Sequence, residues 1–358
     1  MRPDDITKMQ IKRLETEIRD TPYDKSTERH HGLLRARLAK LKDKLDTQSS
    51  RKGGGGGGYA VKKQGDATVV LVGPPSAGKS TLINKLTNAE SKVAPYAFTT
   101  LTVVPGMMKY KNAYIQILDV PGLIEGAQTG KGRGREVLSV VRGSDLLIIM
   151  SDPKRADVVQ KLVAELENAG IRINKLPPQV RVTKSNSGGL SIASNIKQTL
   201  DKNTIREVAW EYGIKNGEIA LKEKLNLETL VDAFAQNRVY IPALFVINKI
   251  DTENNLQFKI YNLQKKPILI SAEKGTGIEE LKQEIWEKLG FVTIYLENEN
   301  NPMIMKQGDT LSDVAEKIGS EFAENKTKAK IWGVGAKFAG QEVSLGTQVV
   351  DGVIVRFI

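Results

Sequence analysis

Residues 67–86 read ATVVLVGPPSAGKSTLINKL. The apolar run ATVVLV has the composition of a buried strand, and TLINKL that of a helix. Between them Gly73, Pro74, Pro75, Ser76, Ala77, Gly78, Lys79 and Ser80 fit the pattern G-x-x-x-x-G-K-[ST], in the strand-loop-helix context it requires. Glycines let backbone N–H groups curl around phosphates. Lys79 supplies a charge at the β- and γ-phosphates, and the Ser80 hydroxyl is a ligand for Mg²⁺. Thr81, next in the chain, is counted with the nucleotide contacts.

Further apolar runs follow at intervals filled by helical stretches: YIQIL, DLLIIM, ALFVIN and PILIS. Short apolar runs in this rhythm predict buried parallel strands, hence a doubly wound α/β domain with its ligand at the carboxyl ends of the strands. Three of those ends carry chemistry. After YIQIL come Asp119, Val120, Pro121 and Gly122, an acid suited to hold magnesium through water and a glycine N–H suited to the γ-phosphate. After ALFVIN come Asn248, Lys249 and Asp251; a carboxylate there accepts the N1–H and N2 amino protons of guanine, a donor pair that adenine lacks. After PILIS, Ser271, Ala272 and Glu273 place backbone N–H groups where guanine O6 falls. Thr99 and Thr100 lie in a loop long enough to close over a nucleotide, with a hydroxyl to complete the magnesium shell; a simple turn is the alternative.

The expected reaction is therefore hydrolysis of GTP. Leu123 stands where Ras-like enzymes carry the glutamine that orients water. Leucine cannot polarise water, so slow intrinsic turnover is expected, with a backbone group, a monovalent cation or a partner in the missing role. Residues 124–135, IEGAQTGKGRGR, read as a nucleotide-dependent switch or as an ordinary basic loop.

At 358 residues the chain exceeds one comfortable core. With no cysteine, disulfides, thiolate zinc sites and cysteine nucleophiles are excluded. The opening residues lack a signal-peptide core, and no stretch approaches the roughly 20 apolar residues of a membrane span, so a cytoplasmic protein is expected. The formal charge is +11, concentrated in residues 1–63, where 16 Lys+Arg face 9 Asp+Glu. Such an excess suits RNA or simply a solvated surface.

Ile11, Leu14 and Ile18, then Leu34, Leu38, Leu41 and Leu45, repeat at helical spacing and predict two helices packed as a hairpin. Arg35, Arg37, Lys40, Lys42 and Lys44 fall at its solvent face, and His30 and His31 read as surface residues. Residues 53–58 are six glycines, a joint or tight loop. Residues 171–239 are too long for an α/β connection and predict an inserted subdomain, with strands in QVRVT and GLSIA and helices near 204–212 and 227–235. After Gly290, the segments VTIYLE, KIWGV and GVIVRFI around a helix at 310–318 predict a small α+β domain.

GPPSAGKSTL, YAFTTLTVVPG, DVPGLIEGA, NKID and SAEKGTG resemble the Obg-type GTPases. YAFTTLTVVPG, with the glycine run and the carboxy-terminal domain, resembles the developmentally regulated GTP-binding protein (DRG) branch. The resemblance implies an α/β fold: a P-loop G domain with a mostly parallel doubly wound sheet (59–170 and 240–290), an amino-terminal helical hairpin and Gly-rich joint (1–58), an inserted S5-like α+β subdomain (171–239) and a β-grasp TGS domain (291–358). It also implies Ser80, Thr100 and Asp119 as magnesium ligands, catalytic roles for Lys79, Thr100 and Gly122, and a switch at residues 98–102 that begins at Phe98. Mg²⁺ is the implied cofactor; K⁺ stays open, because many potassium-activated relatives carry Asn where Ser76 stands. The implied partners are GTP and GDP, ribosomes or other RNA, and a stabilising protein, with no membrane and no DNA. The expected role is a regulatory GTPase in translation. The alternatives are an RNA-binding scaffold in which nucleotide is structural, and a P-loop ATPase.

Overall fold

The computed structural model describes residues 3–51, 63–87, 104–120, 133–252, 266–297 and 301–358. The glycine run 53–58 lies outside them. In chain order the elements are helices α1 (Pro3–Asp20) and α2 (Glu28–Arg51), strand β1 (Ala67–Val72), α3 (Lys79–Leu86), β2 (Val104–Tyr110), β3 (Ala113–Asp119), α4 (Arg133–Arg142), β4 (Leu146–Ser151) and α5 (Val158–Asn168). Then come β5 (Ile171–Ile173), β6 (Val180–Lys184), β7 (Leu190–Ser194), α6 (Lys202–Glu211), β8 (Gly217–Leu221), α7 (Leu227–Phe234), β9 (Val239–Ile241), β10 (Ala243–Ile247), β11 (Ile268–Leu269) and α8 (Ile278–Leu289). The last are β12 (Phe291–Leu296), β13 (Met303–Lys306), α9 (Leu311–Ile318), α10 (Ser320–Glu324), β14 (Lys328–Trp332), β15 (Gln341–Ser344) and β16 (Ile354–Phe357). They gather into two compact units, residues 1–58 with 165–240, and residues 59–164 with 241–358.

In the second unit a six-stranded sheet runs in the order β11-β10-β4-β1-β3-β2. All neighbours are parallel except β2, which pairs antiparallel with β3. The central strands β1 and β4 are buried along their whole length, as their uninterrupted apolar runs require. Strand β2, VPGMMKY, is not announced by its sequence, because Pro105 and Gly106 read as a break. At a sheet edge Pro needs no ladder partner, and a Cβ on Gly106 would come within 2.5 Å of Thr87 Cγ2, so the glycine lets α3 pack directly on the strand. The apolar run PILIS yields only the two-residue strand β11.

The TGS segment of the same unit forms a five-stranded sheet, β13-β12-β16-β14-β15, in which β12 and β16 pair in parallel and the other neighbours antiparallel, a β-grasp arrangement. Val292, Ile294, Leu311, Val314, Ile331 and Val355 centre its core. Phe291 and Ile304 instead join the core beneath the six-stranded sheet, alongside Trp286 and Leu289. Asp145 completes the seam: its carboxylate lies 3.1 Å from Lys63 Nζ and 3.4 Å from Lys306 Nζ.

In the first unit β8 is the centre of a three-stranded sheet, antiparallel to β6 and parallel to β7. It is missing from the sequence reading because only Ile219 and Leu221 mark it among polar neighbours. Helices α6 and α7 supply Ile205, Val208, Leu227, Leu230 and Val231 to its core. Helix α2 packs on α1, as expected, and also on α6 and α7; Ala36 is completely buried in that core. At Gly32 a Cβ would meet Val208 Cγ2 at 3.1 Å.

That packing corrects one expectation and adds to another. His31 is buried, not a surface residue: Nε2 stands 3.1 Å from the Thr21 carbonyl and the ring meets Tyr23 edge-on. His30 is half-exposed beside Glu17. Of the basic residues expected at the solvent face, Arg37, Lys40 and Lys44 are exposed and Arg35 and Lys42 half-buried, and most are paired. Arg35 pairs with Glu228, and Arg37 and Lys40 with Glu211, because α6 and α7 present acids to the same helix face, while Lys42 pairs with Glu15 of α1.

Candidate functional site

The described strands that carry predicted motifs, β1, β3, β10 and β11, end at the same edge of the six-stranded sheet, since with β4 they run parallel. The loop after β1 must turn sharply. Gly73 lies against β4, where a Cβ would come within 2.3 Å of the Met150 carbonyl, and Gly78 has φ +89° with Asn248 Nδ2 filling the position of a Cβ. Ser76 takes φ 61°, an uncommon conformation for a side-chain-bearing residue.

Side chains from elsewhere hold this loop open by its carbonyls. Lys79 Nζ donates to Gly73 O at 3.1 Å and to Pro74 O at 3.2 Å. Arg155 Nη1 donates to Pro75 O at 2.9 Å, Lys249 Nζ to Ser76 O at 2.8 Å and Asn248 Nδ2 to Ala77 O at 2.9 Å. With five consecutive carbonyls engaged by side chains and the Ala77 N–H turned back onto Pro74 O at 3.3 Å, the N–H groups of Ser76, Gly78, Lys79, Ser80 and Thr81 are left for an anion, at the start of α3 where the helix dipole also favours negative charge. Burial pushes the Lys79 ammonium below its ordinary pKa and Arg155 adds to that effect, while Asp119 opposes it. A buried cation whose partners among the described residues are carbonyls suits an incoming phosphate.

At the end of β3, the Ser80 hydroxyl donates to Asp119 Oδ2 at 3.0 Å. The other oxygen, Oδ1, is buried and has no hydrogen-bond partner among the described residues. Val120 is buried behind it, and Thr81 is exposed on the first turn of α3. Phe98, Thr99, Thr100, Pro121, Gly122 and Leu123 lie outside the described residues, as do residues 124–132 of the expected switch.

Asn248 joins the site's two halves. Its Nδ2 reaches Ala77 O, and its Oδ1 accepts from Ala272 N at 2.9 Å, so one fully buried amide links the phosphate loop, β10 and the turn after β11. Asp251 lies on the short 3₁₀ turn that follows. A hydrogen bond from Ser271 and the nearby Lys274 hold its carboxyl below the usual range, with Lys274 Nζ at 3.8 Å. Ser271 and Ala272 are buried, whereas Glu273 is exposed, so from Glu273 only the backbone is fixed by the turn.

Arg155 and Asp152 were not singled out in the sequence. Asp152 caps the turn 153–155, accepting from Arg155 N at 3.0 Å, and its other oxygen takes Arg155 Nε at 2.9 Å. The available signal was an Asp-Pro pair directly after the apolar strand DLLIIM, a turn-starting dipeptide at a strand end.

A family model described as "50S ribosome-binding GTPase" matches residues 68–184; the model for the C-terminal region of that domain matches residues 187–291, and a TGS domain model matches residues 292–358. An uncharacterized GTP-binding protein of Methanocaldococcus jannaschii is 46% identical over 98% of this chain and 92% of its own length. Developmentally-regulated GTP-binding protein 1 of Xenopus laevis is 38% identical over 98% and 99% of the two chains, and developmentally-regulated GTP-binding protein 2 of Homo sapiens is 37% identical over 94% of each. Identity at this level along nearly whole chains leaves one conclusion: this protein belongs to the developmentally regulated GTP-binding proteins, GTPases that combine a P-loop domain with a carboxy-terminal TGS domain.

Proposed function

We propose that the chain is a regulatory switch acting on ribosomes or other RNA assemblies, and that its guanine nucleotide binds across the edge just described. The observation that carries the site is Asn248, whose two amide atoms bind Ala77 and Ala272. In this reading the N–H groups of Ser76, Gly78, Lys79, Ser80 and Thr81 receive the phosphates, with Gly73, Pro74 and Pro75 forming the bend that the Ala77 N–H closes onto Pro74 O. Asp251 accepts from guanine N1–H and N2, Lys249 spans to the loop, and the backbone of Ser271, Ala272 and Glu273 meets O6.

The residues present suit Mg²⁺. Among the described residues Asp119 keeps a buried oxygen without a partner, next to the Ser80 hydroxyl, an oxygen pair of the kind that holds Mg²⁺ together with phosphates. Ser80 and Asp119 would hold the ion, joined by Thr100; when bound, it neutralises charge developing on the phosphates. Lys79 orients and neutralises the β/γ end, and the Gly122 N–H steadies the γ-phosphate. Leu123 orients no water, so the isolated protein turns over slowly; comparing rates in K⁺ and Na⁺ separates a monovalent cation from a backbone group or a partner as the missing element.

The target is supported by the basic amino-terminal region and by the "50S ribosome-binding GTPase" description of the matching family model. No helix among the described residues is long and apolar enough to cross a membrane. Ribosome co-sedimentation at two salt concentrations, with GDP, a non-hydrolysable GTP analogue or no nucleotide, tests the switch. Selective retention with the analogue is expected. Equal binding in all three conditions favours a scaffold, because a ligand shifts a state only through differential affinity.

A further inference from the structure

Four side chains grip the carbonyls of residues 73–77, and Arg155 is the one that reaches in from outside every nucleotide motif. Its guanidinium is doubly held by Asp152, with Nε at 2.9 Å and Nη2 at 2.5 Å from Oδ2, which leaves Nη1 aimed at Pro75 O. The base of this strut does not drift: Asp152 is only 8% exposed and its second oxygen caps the turn.

Pro75 is where the loop needs such help. Neither Pro74 nor Pro75 has an N–H, so this arc offers an anion no backbone donor. A Pro75 carbonyl turned inward would set an acceptor against phosphate oxygens. The arc also lies at one particular end of the phosphate chain. In loops of this pattern the lysine serves the β/γ-phosphates, and Lys79 Nζ rests on the carbonyls of Gly73 and Pro74, immediately before Pro75.

We propose that Arg155 is a positioning residue for the γ-phosphate end of the site: braced on Asp152, it holds the Pro75 carbonyl away from the cradle and so biases the protein toward triphosphate over diphosphate. This rests on the nucleotide site proposed above. A guanidinium suits the role because its planar fork can hold a carboxylate and still present a donor to a carbonyl, which an ammonium does less well.

The test titrates the full-length protein, with magnesium, against fluorescent GDP and a fluorescent non-hydrolysable GTP analogue. Arg155→Ala is expected to lose about tenfold more affinity for the analogue than for GDP, the scale of one charge-assisted hydrogen bond. Arg155→Lys should recover part of the difference. Asp152→Asn should move the ratio in the same direction, and these two variants carry the test if the alanine variant does not fold. Equal losses for both nucleotides, or no loss, overturn the proposal, since a strut needed only for folding does not distinguish them. Asp251→Ala, titrated with the same guanine probes and with fluorescent ADP, separates the two levels. If the guanine-over-adenine preference survives in Asp251→Ala, the site itself has been misread; if that preference falls while Arg155→Ala leaves the ratio unchanged, only the role of Arg155 is lost.

Discussion

Asn248 Nδ2 donates to the Ala77 carbonyl at 2.9 Å across 171 residues of chain, and neither group has access to solvent. Replacing Asn248 with Ala leaves Ala77 O and Ala272 N without that partner. Each such loss costs about 1–3 kcal/mol. We expect Asn248→Ala to weaken guanine nucleotide binding at least tenfold and to lower the denaturation midpoint. Intact affinity in a calorimetric titration would show that the loop holds its shape without this bond.

Asp251 is offered as the base-selecting group, and its chemistry can be inverted. An amide presents one donor and one acceptor, which matches xanthine, whose C2 carries an oxygen in place of the guanine amino group. Asp251→Asn should therefore lose affinity for GTP by two orders of magnitude or so and gain it for xanthosine triphosphate, each mismatched pair contributing about 1–3 kcal/mol. Competition titrations with the two nucleotides measure the crossover; unchanged preference would remove Asp251 from the base pocket.

Asp145 links Lys63 and Lys306 and accepts from Thr68 N at 2.9 Å. Burial pushes its carboxyl up, but the Thr68 N–H and the two lysines outweigh that and hold it below the usual carboxylate range. A carboxyl depressed on folding adds stability that is complete above its unfolded pKa of about 3.9 and is lost as pH falls through the folded value. Urea denaturation of the wild type should thus show this contribution unchanged between neutrality and about pH 5, and failing only in stronger acid. Asp145→Asn should be less stable at neutral pH by about 1–2 kcal/mol and less sensitive to acid.

A buried network ties the hairpin to the inserted segment. Asp232 accepts from Arg172 Nη2 at 2.6 Å and Arg238 Nε at 2.8 Å, while Arg238 also reaches Asp43 at 3.2 Å. With the Arg238 side chain 6% exposed and Asp232 9%, Asp232→Ala would remove the carboxylate shared by the two guanidinium groups, leaving Arg238 with Asp43 and Arg172 with the Glu167 carbonyl, and should destabilise this unit by about 3 kcal/mol. Proteolysis or hydrogen exchange of residues 165–240 reports it directly.

Contact between the hairpin and RNA should depend on cations that have no protein partner. Lys12, Arg13 and Lys44 are exposed and unpaired among the described residues, whereas Arg35, Arg37 and Lys40 face acids. Reversing the charges of Lys12, Arg13 and Lys44 should lower ribosome retention and flatten its salt dependence. Reversing the paired set would set like charges against Glu211 and Glu228, so stability would fall along with binding.

The strand-loop-helix of residues 67–86, the sheet of parallel apolar runs and the strand ends that bear Asp119 and Asn248 were legible in the chain, because a buried parallel strand needs a continuous apolar run and a phosphate loop needs its glycines at set spacing. Edge strand β2 and the inserted strand β8 were not, since Pro105 and Gly106 in one and polar neighbours in the other erase the local signal. The strut from Arg155 to Pro75 and the bridge from Asn248 to Ala77 came only with the tertiary structure, as did the pairing of the α2 cations. Local sequence sets which backbone conformations and faces are favourable within a few residues. Which donor meets which acceptor across 80 or 171 residues depends on how the elements pack, and a one-dimensional pattern does not carry that information.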